Sequence, residues 1–237
     1  MKLLTLAISA FCASVFLAPS TAAADAPPIR HLEYSFSIGI STSQTVQAFG
    51  NQGNSTNAGN SDAGTIAVDV VQKGTDGSLV VKVSETAKNT RSAKEVLCAV
   101  YGGTIQIICP SDAKINEEEM AVLRTVGIGF VQPAQFDAQH HWKVVTDSAD
   151  FNETTDFTAT GAVTGIMKIS ESRVTKNKGA AGRSVATDGT ILYNYPMTVP
   201  TELHEQAVQR VQQGMQYESV TTQIDLKLVT DSMAKAG

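Results

Sequence analysis

Three consecutive glutamates, Glu117 to Glu119, four histidines and a Ser111–Lys114 pair are the residues of this chain whose types and spacing could do chemistry. Adjacent carboxylates can hold a cation or share a proton for acid–base work. Here the local pattern gives them another role. Asn116 can cap a helix, Glu119 stands three residues on to reach back to that cap, and Glu117 and Glu118 put negative charge in the first turn, where the helix dipole favours it. The histidines lack metal-ligand spacing. His140 and His141 are adjacent, so in a strand they point to opposite faces and cannot share an ion, while His31 and His204 stand alone. Ser111-Asp112-Ala113-Lys114 satisfies the S-x-x-K spacing of penicillin-recognising enzymes, in which the serine opens a helix and the lysine lies one turn on. In this chain the helix begins only at Asn116, and no S-D-N or K-T-G element follows. GxSxG, GxGxxG and P-loop patterns are absent too. No catalytic, cofactor-binding or metal-binding residues are therefore assigned, and a non-enzymatic protein is favoured.

Cysteine usage points to an oxidising compartment. Cys12 lies in the N-terminal apolar stretch, behind the bulky Phe11, where lipidation is not expected. Cys98 and Cys109 form an even pair further on and read as a disulfide. The ten residues between them look like a hairpin with a Gly-rich tip. A turn centred on Gly103-Thr104 places Cys98 directly opposite Cys109, whereas one on Gly102-Gly103 leaves the bridge diagonal. Disulfide geometry favours the first.

The first two dozen residues have the layout of a cleavable secretory signal. Lys2 supplies the positive start, Leu3 to Leu17 carries no charge, and Ala22 and Ala24 supply the small side chains that place the cut before Asp25. An apolar core of about 15 residues is short of the roughly 20 needed to span a bilayer as a helix, and no other stretch is long and apolar enough. A secreted or periplasmic protein is expected, with residues 1–24 removed and residues 25–237 forming a single, mainly β domain without a transmembrane segment. Removal of Lys2 leaves 17 basic against 23 acidic residues, a net charge of −6. With no basic cluster, nucleic acid is not expected as a partner. Asn54-Ser55-Thr56 and Asn152-Glu153-Thr154 match the N-glycosylation pattern, which matters only in a host with that machinery.

The elements that must position these residues are mostly strands. Residues 32–40 alternate apolar and polar, as a half-buried strand does. Residues 47–64 are dominated by Gly, Asn and Ser, and read as a flexible surface loop. Ile66, Val68 and Val70, then Leu79, Val81 and Val83, flank the turn residues 73–78 as a hairpin. Asn116 to Gly127 is the one well-marked helix, with Ile115 and Met120 at staple positions and Met120, Leu123 and Val126 as its apolar stripe. Trp142, the only tryptophan, is expected to plug one end of the core beside that helix. Further strands are expected near 155–159, 166–174, 191–195 and 220–228. Residues 203–213 fit either a helical stripe through Leu203, Ala207, Val208 and Val211 or a strand. The long strand that follows needs an antiparallel neighbour and tips the choice to strand.

Together these patterns predict a mainly β protein: about 9–11 strands in one large curved antiparallel sheet, a half-barrel or two layers, with one short covering helix. In that architecture it resembles the periplasmic lipoprotein carriers, whose curved sheet and helical lid hold acyl chains. The likeness implies an apolar ligand against the sheet and transfers no residue. Tyr34, Phe36, Phe130, Phe136 and Trp142 are the residues expected to face such a ligand or to fill the core. The functions that follow are a non-enzymatic binding or structural protein of the cell envelope, with an envelope protein as partner, and a carrier of an apolar ligand. A hydrolase-type enzyme with a site invisible in sequence is the remaining alternative.

Overall fold

The computed structural model describes residues 28–48, 51–75, 77–88, 95–101, 106–128, 140–148, 150–161, 165–179, 183–194, 197–213 and 215–233. The leader at 1–24, Phe130 and Phe136 lie outside these residues. Eleven strands form one antiparallel sheet. They are β1 (Arg30–Ala48), β2 (Asn51–Lys73), β3 (Leu79–Ala87), β4 (Val96–Tyr101), β5 (Gln106–Ile108), β6 (His141–Asp147), β7 (Phe151–Gly161), β8 (Ile166–Asn177), β9 (Ser184–Asn194), β10 (Val199–Gln213) and β11 (Gln216–Met233). A single described helix, α1 (Glu117–Ile128), lies between β5 and β6. The spatial order is β5-β4-β3-β2-β1-β11-β10-β9-β8-β7-β6, nearly closed into a barrel. Two meanders of sequential hairpins thus meet where the first strand pairs with the last, and α1 lies on the connection from one sheet edge to the other.

Alternation sets which side chains face inward. On β1 these are Leu32, Tyr34, Phe36 and Ile38, and on β2 they are Ile66, Val68 and Val70, all buried. The seam matches like with like: Phe36 stands opposite Leu226, Ile38 opposite Ile224, and outward Ser35 opposite Lys227. Outward positions also carry Asp69, Lys143, Lys168 and Asp225. This polarity is the reverse of the apolar outer band of a transmembrane barrel. No helix among the described residues is long and apolar enough to cross a membrane. Gly64 is required by close approach. A Cβ there would lie 2.1 Å from the Thr86 carbonyl oxygen and 2.9 Å from Phe36 Cε1.

Three expectations are corrected. The stretch 47–64 is not a loop: β1 continues to Ala48, and from Asn51 the chain is β2, with Gly59 opposite Ser41 and Thr56 opposite Gln44. Residues 55–61 are exposed, so backbone hydrogen bonds rather than burial hold them, and the alternation that marks a strand is missing. The one short helix is present among the described residues as expected. Glu118, Glu119, Ala121, Val122, Leu123, Thr125, Val126, Gly127 and Ile128 are all buried, so it is enclosed on most sides by the sheet. Met120 lies outside its expected stripe, half-buried and facing away from Leu123 and Val126. Trp142 is buried as expected, but on the edge strand β6, whereas α1 packs on β3, β4, β5, β10 and β11. Residues 203–213 are strand, paired with β9 and β11.

Candidate functional site

Leu123 shows why the barrel does not hold an empty apolar chamber beside the helix. Its side chain is 0% exposed, and Val122, Val81 and Val100 in the same core are at most 1% exposed. A side chain lining a cavity wide enough for an acyl chain would keep accessible surface, so this part of the interior is filled. Each such side chain contributes about 1.5–3 kcal/mol through burial. Tyr34 and Phe36 belong to the filled part: Tyr34 is buried and its hydroxyl donates to the Pro200 carbonyl at 3.1 Å. Burial drives that phenol's pKa far upward. Trp142 stacks on Phe157 with ring centroids 4.9 Å apart. Cys98 and Cys109 have sulfurs 2.08 Å apart, at disulfide distance. Ala99 pairs with Ile108 and Tyr101 with Gln106, the register that sets the two cysteines opposite each other.

The open space lies on the other side of α1. Glu117, Met120 and Arg124 sit at i, i+3 and i+7, one stripe of the helix, and none of them is buried. That stripe borders a cleft of about 400 Å³ against β7–β11. Ile115, Met120, Phe151, Val185, Val220 and Ile224 form its apolar wall. Arg124, Glu153, Arg173 and Glu205 form a charged floor.

That floor is an ion network built on inward positions of three strands. Arg173 of β8 is its hub: Nη2 donates to Glu205 Oε1 at 2.6 Å, Nη1 lies 3.0 Å from Glu171 Oε1, and Nε lies 3.9 Å from Glu153 Oε2. Arg124 of α1 reaches Glu153 at 3.8 Å, and Thr175 donates its hydroxyl to the same carboxylate at 2.8 Å. Gly189 separates the two strands' carboxylates, standing opposite Glu171 on one side and Glu205 on the other. Burial works against the charge on Arg173, but Glu205, Glu171 and Glu153 together hold its pKa above the ordinary value. Burial pushes Glu171 up to about 7, with Arg173 opposing. For Arg124, burial and then repulsion from Arg173 lower the pKa.

A second acidic group anchors the start of α1. The Asn116 backbone N–H donates to Glu119 Oε2 at 2.9 Å, the reach-back expected of the capping pattern. The Asn116 side-chain amide donates across to Glu85 Oε2 of β3 at 3.1 Å. Burial raises the Glu85 pKa, with the Asn116 hydrogen bond opposing. Burial, and then the neighbouring Glu85, raise Glu118 to about 7. Glu119 is raised by burial as well. Of the three glutamates only Glu117 is exposed, and no group of three or more metal-ligating side chains occurs among the described residues.

The histidines are distributed over the outer surface. His31 Nδ1 lies 2.6 Å from Asp69, His204 Nδ1 lies 2.5 Å from Asp225, and His141 Nε2 lies 3.5 Å from Asp156. Each is a cross-strand pair on a different part of the sheet, and nothing brings them together. Ser111 and Lys114 are exposed in the stretch before α1, where serine does not open the helix.

The charged floor was missed in sequence, though a signal existed. Following the inward parity from Met167 and Ile169 leads to Glu171 and Arg173. The same step leads from Leu203 to Glu205 and from Phe157 through Thr155 to Glu153.

No family model matches the chain, and no curated protein matches it. Among solved structures it is similar to a lipovitellin chain, from a structure of lipid–protein interactions in lipovitellin. The TM-score is 0.50 at 13% identity, over 89% of this chain and 26% of that one. This chain thus spans about a quarter of the length of the protein it resembles, and at that identity the likeness is one of fold alone.

Proposed function

We propose that this is an exported, non-enzymatic binding protein that holds an amphipathic ligand in the cleft between α1 and strands β7–β11. The observation that carries this is the pairing of an apolar wall with a charged floor around about 400 Å³ of open space, within the size range of about 300–1,000 Å³ usual for small-molecule sites. The free stripe of an otherwise enclosed helix borders that space. The fold likeness to a lipovitellin chain, whose solved structure concerns lipid–protein interactions, supports a lipid-like ligand. Export rests on the signal-like leader and on the Cys98–Cys109 pair, a bond kept in oxidising compartments.

Native mass spectrometry of protein recovered from the periplasm or medium tests both parts. The expected result is a chain beginning at Asp25, carrying a mass adduct that organic extraction identifies as a lipid. A mature chain that appears only at its apo mass, with no extractable lipid and no uptake of added dodecanoate, dodecanol or dodecylamine, overturns the binding reading. A soluble chain that retains residues 1–24 overturns the export reading.

A further inference from the structure

Resting on that reading, we propose that the ligand carries a single carboxylate and that Arg124 receives it. Two arginines and three glutamates make up the floor, and their hydrogen bonds are unequal. Arg173 donates to Glu205 at 2.6 Å and has Glu171 Oε1 at 3.0 Å, an ion pair that is not aligned as a hydrogen bond. Among the described residues Arg124 pairs with one carboxylate, Glu153, at 3.8 Å, which is beyond hydrogen-bond length. Glu153 is itself engaged by the Thr175 hydroxyl and lies 3.9 Å from Arg173. The Arg124 guanidinium therefore borders the cleft with its donor fork unfilled, while 31% of the side chain stays accessible.

A partly desolvated guanidinium without an acceptor selects for an anion, and its planar fork matches a carboxylate through two parallel hydrogen bonds. The floor also limits the charge of that anion. With all five groups ionised it carries −1, and a proton on Glu171 brings it to zero. One added negative charge takes the neutral floor to −1, whereas a dianionic phosphate would take it to −2. The apolar wall of Ile115, Met120, Phe151, Val185, Val220 and Ile224 then takes the rest of the molecule. An acyl chain ending in a carboxylate fits both halves. A neutral alcohol would leave the fork unfilled, and an amine would place a third cation beside Arg124 and Arg173.

Displacement of a bound hydrophobic dye by dodecanoate, dodecanol and dodecylamine tests this on the full mature chain. Dodecanoate is expected to displace the dye at concentrations at least about tenfold below dodecanol, a difference of about 1.4 kcal/mol. Arg124→Gln should bring the acid to within about twofold of the alcohol without changing the alcohol. Arg124→Lys should retain part of the preference, and the melting temperature of each variant confirms folding. Equal displacement by acid and alcohol in the wild type overturns the assignment, as does preference for the amine, or a preference that survives Arg124→Gln in a folded protein. If none of the three probes displaces the dye or binds by mass, the binding reading itself has failed, and the assignment falls with it.

Discussion

Along strands β7 to β10 the inner face of the sheet divides into two halves that solve burial differently. One half carries Phe157, Met167, Ile169, Ile191, Tyr193 and Leu203 and is closed by contact between apolar surfaces. A few residues further along the same strands, at the same parity, stand Glu153, Glu171, Arg173 and Glu205. The apolar half loses little if one side chain is swapped for another of like volume, because dispersion and burial are not directional. The charged half has no such tolerance. Each desolvated ion depends on a partner at a particular distance, so removal of one member leaves the others unpaired. A protein that needed only stability would extend the apolar half. The ions therefore mark where the fold gives up easy burial, beside the cleft.

The sharpest way to break this contrast is to remove the hub. Arg173→Met should destabilise by about 3–5 kcal/mol in urea titrations at neutral pH, because three carboxylates lose their shared cation. Adding Glu171→Gln and Glu205→Gln to the same chain should recover most of that loss. A cost below 1 kcal/mol for Arg173→Met would mean the network is hydrated, and the contrast between the halves would disappear.

Leu123→Ala probes the filled half, with an expected loss on the order of 3 kcal/mol from lost burial and the cavity left behind. Dodecanoate displacement should be unchanged, since the cavity opens on the side of α1 away from the cleft. A stable variant with altered dye binding would show that the helix stands off the sheet rather than pressing on it.

A third test lies in the pH dependence. Glu118 and Glu171 are both raised to about 7 in the folded state, from an ordinary value of 4.5. The folded chain therefore binds more protons than the unfolded chain between those limits. The stability these groups contribute is complete below about 4.5 and is lost as pH rises through about 7. Denaturation midpoints at pH 5 and pH 8 measure it, and the double variant Glu118→Gln, Glu171→Gln should flatten it. Stability that rises with pH across this window would contradict the buried, protonated state of both groups.

Much of the architecture could be read from the residues, because one-sided alternation is a direct trace of a half-buried sheet. The runs 32–40, 79–83 and 220–228 name their inward faces without ambiguity. Residues 203–213 were harder for a geometric reason. Leu203, Ala207 and Val211 recur every four residues, and four is at once a near-turn of helix and two full strand periods. Only the need of β11 for a neighbour separates the two. The strand at 55–61 left no trace, since both of its faces are exposed where it outruns the core and a pattern of burial cannot form. The floor of the cleft was hidden by a habit of reading, which treats charge as outward. Glu171 and Arg173 keep the parity of Ile169 while Val174 turns to solvent, 40% exposed.

The seam between β1 and β11 has a consequence for how the chain reaches this state. Arg30 and Asp231 are 201 residues apart in sequence, yet Arg30 grips Asp231 through two hydrogen bonds of 2.8 and 2.7 Å. Hairpins within each meander can form as soon as their two strands exist, but the joint between the meanders must wait for the last strand to be synthesised. Until then β1 presents an unpaired edge and an apolar face carrying Tyr34, Phe36 and Ile38. High contact order of this kind slows the final closure and lengthens the period in which strand edges can pair with other molecules. Folding in the cell should therefore be limited by the arrival of residues 216–233, and truncation within that strand should yield aggregated chains rather than a smaller barrel.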